Sequence, residues 1–144
     1  MNWRWCGKCQ GLFFAGNAGS KCPGGGAHDK TDSFNFVLLR DYISSNAPGQ
    51  KDWRWCNKCQ GLFFGGSSGS VCPAGGGHNT TGSGNYVLLP FKAKAPGQAG
   101  WKWCNKCQGL YFSKTPSSKC PAGGQHSTPG LGHYTLLCVE CNDC

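Results

Sequence analysis

Residues 3–14 read Trp-Arg-Trp-Cys-Gly-Lys-Cys-Gln-Gly-Leu-Phe-Phe, and nearly the same stretch returns twice further along the chain. Extended outward, the segments that align without a gap are 3–39, 53–89 and 101–137. A short unit repeated in tandem is typical of an array of small modules that pack on one another. The predicted organisation is repeat 1 over 1–39, a connector over 40–52, repeat 2 over 53–89, a connector over 90–100, repeat 3 over 101–137 and a cysteine-rich tail over 138–144.

The alternation of side chains within a repeat predicts strands. Trp3 and Trp5 fall on one face of an extended chain and Arg4 on the other, which is the period of a β-strand. Phe36 and Leu38 alternate in the same way near the end of the repeat. Glycine, at 24 of 144 residues, recurs too often for helix interiors. We therefore predict an all-β protein whose repeats each form a hairpin, a loop and a third strand, arranged with pseudo-threefold symmetry.

Cysteine and histidine recur in every repeat with the spacing C-x2-C-x12-C-x5-H. The three sets are Cys6, Cys9, Cys22 and His28; Cys56, Cys59, Cys72 and His78; and Cys104, Cys107, Cys120 and His126. Zinc prefers four tetrahedral ligands drawn from thiolate sulfur and imidazole nitrogen, and two residues between cysteines let a tight turn aim both sulfurs at one ion. The spacing predicts three zinc ions, one in each of three zinc-ribbon-like modules.

A disulfide framework is the main alternative, because small cysteine-rich domains commonly have one. Each repeat holds three cysteines, and an odd number forces disulfides to cross between repeats or to break the threefold pattern. A histidine at a fixed distance from the third cysteine has no role in such a scheme. Zinc is therefore favoured over disulfides, with iron as a lesser alternative.

The predicted metal sites favour a structural role. Four protein ligands leave no position on the metal for an activated water. No acidic residue recurs between repeats, since Asp29 aligns with Asn79 and Ser127, so a general acid–base pair built into the repeat is absent. We expect a protein that is not an enzyme, in which bound metal supplies much of the folding free energy that such short units lack.

The tail admits several readings. His133, Cys138, Cys141 and Cys144 could form a fourth metal site, provided that the chain turns after Leu137. The same cysteines could instead form a disulfide or link one chain to another. The last reading makes the protein a structural, self-assembling unit cross-linked through its tail.

Few residues other than ligands and glycines are shared by all repeats, and these are the candidates for ligand binding. They are Trp3, Arg4, Trp5 and Gln10; Trp53, Arg54, Trp55 and Gln60; and Trp101, Lys102, Trp103 and Gln108. One Trp of each pair is expected to pack in the core, because large apolar residues in strands are usually buried. The two residues between the cysteines of each C-x2-C pair form a turn that we call the knuckle. The knuckle lysines, expected to be solvated close to the thiolates, are Lys8, Lys58 and Lys106.

Two kinds of partner fit these candidates. Exposed aromatic rings could stack on sugars while Gln and Arg bind hydroxyls, with three copies giving avidity. The same rings could stack on the bases of single-stranded nucleic acid while Lys and Arg follow the phosphates. The net charge is +8 and falls to about +5 with three loaded sites. Because the cations are spread along the chain, carbohydrate is favoured, and nucleic acid remains the alternative.

The C-x2-C hairpin flanked by Trp resembles zinc-ribbon and zinc-knuckle modules over each repeat. It is also similar to the Trp-containing zinc fingers of the Ran-binding type, which implies binding of single-stranded RNA or ubiquitin. Three tandem repeats in 144 residues are similar in length and symmetry to the β-trefoil and β-prism lectins, which implies carbohydrate binding.

Membrane insertion is not expected, because the longest apolar run is far shorter than the ~20 residues of a spanning helix. No secretory leader is expected before Trp3, where repeat sequence already begins. Both a reducing cytoplasm and an extracellular location without a leader remain open.

Overall fold

The computed structural model describes residues 2–40, 49–90, 97–115, 117–130 and 132–139. Ten strands and no helix are formed in these segments, so the prediction of an all-β fold is confirmed. The strands are β1 (Trp3–Trp5), β2 (Leu12–Phe14), β3 (Asn35–Val37), β4 (Leu39–Arg40), β5 (Gln50–Trp55), β6 (Leu62–Phe64), β7 (Tyr86–Pro90), β8 (Gly97–Trp103), β9 (Leu110–Phe112) and β10 (His133–Val139). Within the described segments no helix is long and apolar enough to cross a membrane.

Every repeat begins with the predicted hairpin. Strand β1 pairs antiparallel with β2, with Trp3 opposite Phe14 and Trp5 opposite Leu12. Strands β5 and β6 pair in the same register, as do β8 and β9. The turn of the first hairpin is closed by the bond from the Gln10 amide to the Cys6 carbonyl, at 2.8 Å. The two cysteines of the C-x2-C pair therefore lie in a tight turn closed by a bond between residues four apart, in all three repeats.

The third strands of the repeats meet and join the hairpins into one sheet. Strand β10 pairs antiparallel with β3, β7 and β8, while β7 also pairs with β4 and β5. The main path of the sheet runs β2-β1-β3-β10-β7-β5-β6, with β8 and β9 attached through β10. The sheet is nearly closed, and the three repeats therefore form one structural unit.

The core follows a cyclic rule that relates the three repeats. The first Trp of each repeat packs edge to face on an aromatic ring from the third strand of the following repeat. The centroid distances are 5.4 Å for Trp3 and Tyr86, 5.3 Å for Trp53 and Tyr134, and 5.2 Å for Trp101 and Phe36. Because repeat 3 returns to repeat 1, the contacts close a ring, as the expected pseudo-threefold arrangement requires.

Backbone hydrogen bonds between hairpins obey the same rule. The three bonds run from Phe14 N to Gln60 O, from Phe64 N to Gln108 O and from Phe112 N to Gln10 O, each at 2.8 Å. Each repeat thus completes the hydrogen bonding and the core of its neighbour. This interlocking explains how units of this size share a core that none could build alone.

Two strands begin within the segments that the sequence assigns to connectors. Strand β5 begins at Gln50 and β8 begins at Gly97, each several residues before the Trp that starts its repeat. Within them, Gln50 Oε1 accepts a hydrogen bond from Trp53 Nε1 at 3.2 Å, and Gln98 Oε1 accepts one from Trp101 Nε1 at 3.1 Å. Residues at the ends of the connectors therefore accept hydrogen bonds from the indole N–H groups of buried core Trp residues.

Candidate metal centres

Each predicted set of three cysteines and one histidine is brought together in the structure. Within a set, the four candidate ligand atoms all lie within 4.8 Å of one another. In repeat 1, Cys6 Sγ lies 3.8 Å from Cys22 Sγ, and Cys9 Sγ lies 3.5 Å from His28 Nδ1. The corresponding distances are also 3.8 Å and 3.5 Å in repeats 2 and 3. Each set can hold one metal ion through three sulfurs and one nitrogen.

The second half of each site is a loop whose shape depends on paired glycines. In repeat 1, Cys22 N donates to Gly26 O at 2.8 Å and Gly25 N donates to Cys22 O at 3.0 Å. Gly25 and Gly26 have φ of 100° and 63°, a region that residues with a side chain rarely adopt. The loop turns sharply enough to bring His28 back to the three sulfurs.

Two side chains outside the ligand set hold this loop in place. Ser20 Oγ accepts a hydrogen bond from His28 N at 3.0 Å. Lys8 Nζ, on the turn between β1 and β2, donates to Gly25 O and, at 2.9 Å, to Ala27 O. The knuckle lysine was expected to be solvated; its side chain is exposed, and its ammonium group also ties the two halves of the site together.

The same two contacts recur in the other repeats. The serines are Ser70 and Ser118, and the lysines are Lys58 and Lys106. The sequence interpretation did not single out the serines. Their recurrence at one aligned position was the signal that could have identified them.

Backbone amides favour the thiolate form of the sulfurs. Asp29 N lies 3.3 Å from Cys6 Sγ, and Gly24 N lies 3.3 Å from Cys22 Sγ. Gly11 N lies 3.4 Å from Cys9 Sγ. An N–H group that points at sulfur stabilises negative charge there. All nine cysteines of the three sets are buried and free of disulfide bonds. The sulfurs are therefore prepared to bind a cation.

Hydrogen bonding within a set shifts the pKa values as expected for a thiolate and an imidazolium. Bonds from Cys22 and Cys9 hold the pKa of Cys6 well below its usual range. Burial alone would lower the pKa of His28, but its bonds to Cys22 and Cys6 and their negative charge raise the pKa to about 9. Bonds to Cys22 and Cys6, together with burial, raise the pKa of Cys9 well above its usual range, so the negative charge is concentrated on Cys6.

The histidine rings are fixed by aromatic stacking. His28 stacks on Phe13 with a centroid distance of 4.6 Å and an interplanar angle of 20°, and the other two histidines stack on Phe63 and Tyr111. In repeat 1 the ring nitrogen 3.5 Å from Cys9 Sγ is Nδ1 of His28. The three Nε2 atoms are buried and have no hydrogen-bond partner among the described residues.

The two Trp residues of each repeat have different environments. The first is buried, with Trp53 and Trp101 at 0% exposure, whereas the second is half-buried at the edge of the core. The indole Nε1 of the second Trp donates to the Gln of the same repeat. These bonds are Trp5 to Gln10 at 2.9 Å, Trp55 to Gln60 at 3.0 Å and Trp103 to Gln108 at 2.8 Å.

The recurrent Gln and the cation between the two Trp residues are largely engaged within the chain. Gln10, Gln60 and Gln108 are buried, and their amide groups also donate to a carbonyl of the knuckle. Arg4 donates to Trp3 O at 3.0 Å, and Arg54 lies 3.7 Å from Asp52. Lys102 is half-buried on β8 opposite Tyr111. Of the candidate ligand-binding residues, the second Trp of each repeat and the cation before it are half-buried and partly open to solvent.

Clefts lie beside these second Trp residues, at the boundaries between repeats. The Trp103 cleft has a volume of about 280 Å³ and is lined by Gln50, Phe64, Ser67, Trp103, Gly132 and Tyr134, with Pro129 at its rim. The Trp5 cleft has a volume of about 140 Å³ and is lined by Trp5, Asp32, Phe34, Gln98, Phe112 and Thr115, with Ser33 and Phe36. The lining residues occupy aligned positions, so the two clefts are pseudo-symmetry equivalents.

The predicted fourth metal site falls partly on Cys141 and Cys144, which lie outside the described residues. His133 and Cys138 both lie on β10, which runs without a break from His133 to Val139. At about 3.3 Å per residue the two are about 16 Å apart, and the turn after Leu137 that a shared site needs is not formed. His133 Nε2 lies 3.1 Å from Gly130 O, and Cys138 is disulfide-bonded.

No protein-family model matches this chain, and neither a curated protein nor a solved structure shows significant similarity to it.

Proposed function

We propose that the chain is a zinc-stabilised, non-enzymatic protein that binds carbohydrate at the clefts between its repeats. The observation that carries the proposal is the position of Trp103, half-buried beside a cleft whose other polar side chains, among the described residues, are the amide of Gln50 and the hydroxyls of Ser67 and Tyr134. The metal centres form the scaffold, and the repeat boundaries form the recognition surface.

Zinc is supported by the spacing of the ligand atoms. Around a tetrahedral zinc ion with bonds of about 2.3 Å to sulfur and about 2.0 to 2.1 Å to nitrogen, sulfurs are separated by about 3.8 Å, and sulfur and nitrogen by about 3.6 Å. The observed separations of 3.8 Å and 3.5 Å agree with this geometry in every repeat. The set of three thiolates and one imidazole also suits zinc better than it suits magnesium or calcium.

A non-enzymatic role is supported by the closed ligand sets. A zinc ion with four protein ligands has no position for a substrate or an activated water. The sulfurs are buried, with Cys6, Cys56 and Cys104 at 0% exposure, which restricts the approach of a substrate to the ion. The role left to such an ion is to hold the fold.

Carbohydrate is supported by the chemistry of the Trp103 cleft. An indole face offers an apolar platform for the C–H face of a sugar ring, and the amide of Gln50 and the hydroxyls of Ser67 and Tyr134 can exchange hydrogen bonds with sugar hydroxyls. Because the Trp5 cleft repeats this arrangement, a branched glycan could bind at more than one boundary and gain avidity.

The recurrent cations support carbohydrate over nucleic acid. The ammonium groups of Lys58 and Lys106 donate to carbonyls of their own repeat, and none of the described residues that line the Trp103 cleft is Lys or Arg. A protein that follows a phosphate backbone needs cations along the path of the strand. The part of the Trp103 cleft that the structure describes supplies no such cation.

A glycan array read at low salt and at 1 M NaCl, alongside labelled single-stranded oligonucleotides, tests this proposal. We expect glycan binding that survives high salt, because stacking and neutral hydrogen bonds are weakly screened. Oligonucleotide binding that falls steeply with salt, together with an empty glycan array, would contradict the proposal.

A further inference from the structure

We infer that the Trp103 cleft is the principal binding site and that it takes an uncharged saccharide residue, whereas the equivalent positions at Trp5 and Trp55 bind it more weakly. The inference rests on the proposed function and goes further by ranking positions that the repeat symmetry alone would make equal. It is argued from three differences between the repeats: bulk, hydrogen bonding and charge.

Bulk differs at one aligned position, which is Phe34 in repeat 1, Gly84 in repeat 2 and Gly132 in repeat 3. Phe34 lines the Trp5 cleft, whose volume is half that of the Trp103 cleft. A Cβ added at Gly132 would lie 3.0 Å from Trp103 Cβ, so a side chain there would stand against the indole. The absence of that side chain leaves the face of Trp103 open to a ring.

Hydrogen bonding differs at a second aligned position, on the opposite side of each boundary. Asn17 and Thr115 donate to the buried Gln of the following repeat, Gln60 and Gln10 respectively. Ser67, the equivalent residue beside Trp103, is exposed and forms no such bond within the described part of the chain. Its hydroxyl therefore remains available to a ligand in the Trp103 cleft.

Two polar side chains that line the Trp103 cleft, Gln50 and Tyr134, are hydrogen-bonded to each other. Gln50 Oε1 accepts hydrogen bonds from both Tyr134 Oη and Trp53 Nε1, and these two bonds fix the orientation of the Gln50 amide. Burial raises the pKa of Tyr134 to about 12, so this phenol stays neutral. Stacking surface and neutral donors and acceptors are what a sugar ring with free hydroxyls requires.

Charge separates the three positions. Among the described residues no ionised side chain lines the Trp103 cleft, whereas Asp32 lines the Trp5 cleft. At the Trp55 position, Arg40 lies 5.4 Å from the centre of the Tyr86 ring and would lie 3.3 Å from a Cβ added at Gly84. An arginine there takes up space beside the platform and gives that position a positive charge.

Two single substitutions with the same chemistry test the ranking. G132F places in repeat 3 the residue that repeat 1 already carries, and G84F makes the same change in repeat 2. The probes are methyl glycosides of mannose, galactose and N-acetylglucosamine, with sialic acid and glucosamine as charged counterparts, and affinity is measured by calorimetry. Zinc content and circular dichroism establish that each variant is folded.

For the best neutral probe we expect G132F to weaken binding at least tenfold and G84F to change it less than twofold. Equal losses, or a larger loss in G84F, would overturn the ranking of the clefts but would leave carbohydrate binding intact. Preference for a charged probe would overturn the assignment of an uncharged ligand. Failure of every probe and of the glycan array would overturn both this inference and the proposed function.

A measurement on the unsubstituted protein keeps the inference testable if G132F does not fold. Indole N–H signals in a ¹⁵N-labelled sample report each Trp separately, and W103F, W55F and W5F assign them. Addition of the neutral glycoside is expected to shift the Trp103 signal most. A larger shift at Trp5 or Trp55 would contradict the inference.

Discussion

The metal centres and the repeat boundaries use the same three repeats in opposite ways. Around the metal centres the repeats are nearly superimposable, with sulfur–sulfur distances of 3.8 Å and sulfur–nitrogen distances of 3.5 Å in all three. At the boundaries the repeats diverge, and one aligned position holds Phe34, Gly84 or Gly132. The comparison teaches that symmetry is kept where the fold depends on it and is relaxed where a surface faces solvent.

The largest effect on the three symmetric metal centres is expected from removal of all metal. A chelator such as 1,10-phenanthroline should abolish the cooperative thermal transition and the β-sheet circular-dichroism spectrum, because the metal-ligand bonds replace a core that each repeat lacks. Restoring one equivalent of Zn²⁺ per site should restore both signals. A native-like spectrum in the metal-free protein would show that the shared aromatic core suffices by itself.

Loss of one ligand should break one centre and weaken its neighbours. C56S removes a fully buried thiolate from repeat 2, and we expect a loss of at least about 4 kcal/mol in unfolding free energy and of one metal ion per chain. S68A, an exposed change in the same repeat, should alter stability by less than about 0.5 kcal/mol. Urea denaturation and mass spectrometry of both variants measure the difference.

The two Trp positions of one repeat sharpen the comparison between core and boundary. W53F should cost about 2 to 3 kcal/mol, because Trp53 is fully buried, packs on Tyr134 and donates to Gln50. W55F removes a half-buried ring and should cost about 1 kcal/mol. Equal losses of unfolding free energy in denaturation experiments would contradict the division between a buried and a half-buried Trp.

The smallest expected effect concerns the loop that carries the histidine. S70A removes the hydroxyl that accepts from His78 N at 3.1 Å and should cost about 1 kcal/mol. Zinc release to a competing chelator should become faster, because the His78 ligand is less well held. An unchanged release rate would show that the stacking of His78 on Phe63 is enough to position the ring.

Much of the repeated part was predictable from the sequence, because its signals are local. The alternation of Trp3, Arg4 and Trp5 predicted β1, and the spacing from Cys6 to His28 predicted which side chains lie together. Both patterns depend on a few neighbouring residues and on turn geometry. Their threefold recurrence strengthened each prediction.

The connections between repeats were not predictable in the same way. Nothing in a repeat indicates that Trp3 packs on Tyr86 of the next repeat, since that contact depends on how the third strands cross. Gln50 and Gln98 appeared only as parts of turn-rich connectors, although each accepts a hydrogen bond from a core indole. The signal was present in the recurrence of Ala-Pro-Gly-Gln in both connectors, but its role requires the strand that follows.

The clefts depend on differences between repeats, which a search for repeats sets aside. The change from Phe34 to Gly132 appears as ordinary divergence in the aligned sequences. Its consequence, an open face beside Trp103, becomes visible only when Phe64 and Ser67 of the preceding repeat are placed opposite it.

Native mass spectrometry of the purified chain, coupled to a count of free thiols, tests the central claim most directly. We expect about three zinc ions per chain and nine repeat cysteines that resist alkylation until the metal is removed. A folded chain that contains no metal, with its repeat cysteines oxidised to disulfides, would contradict the account.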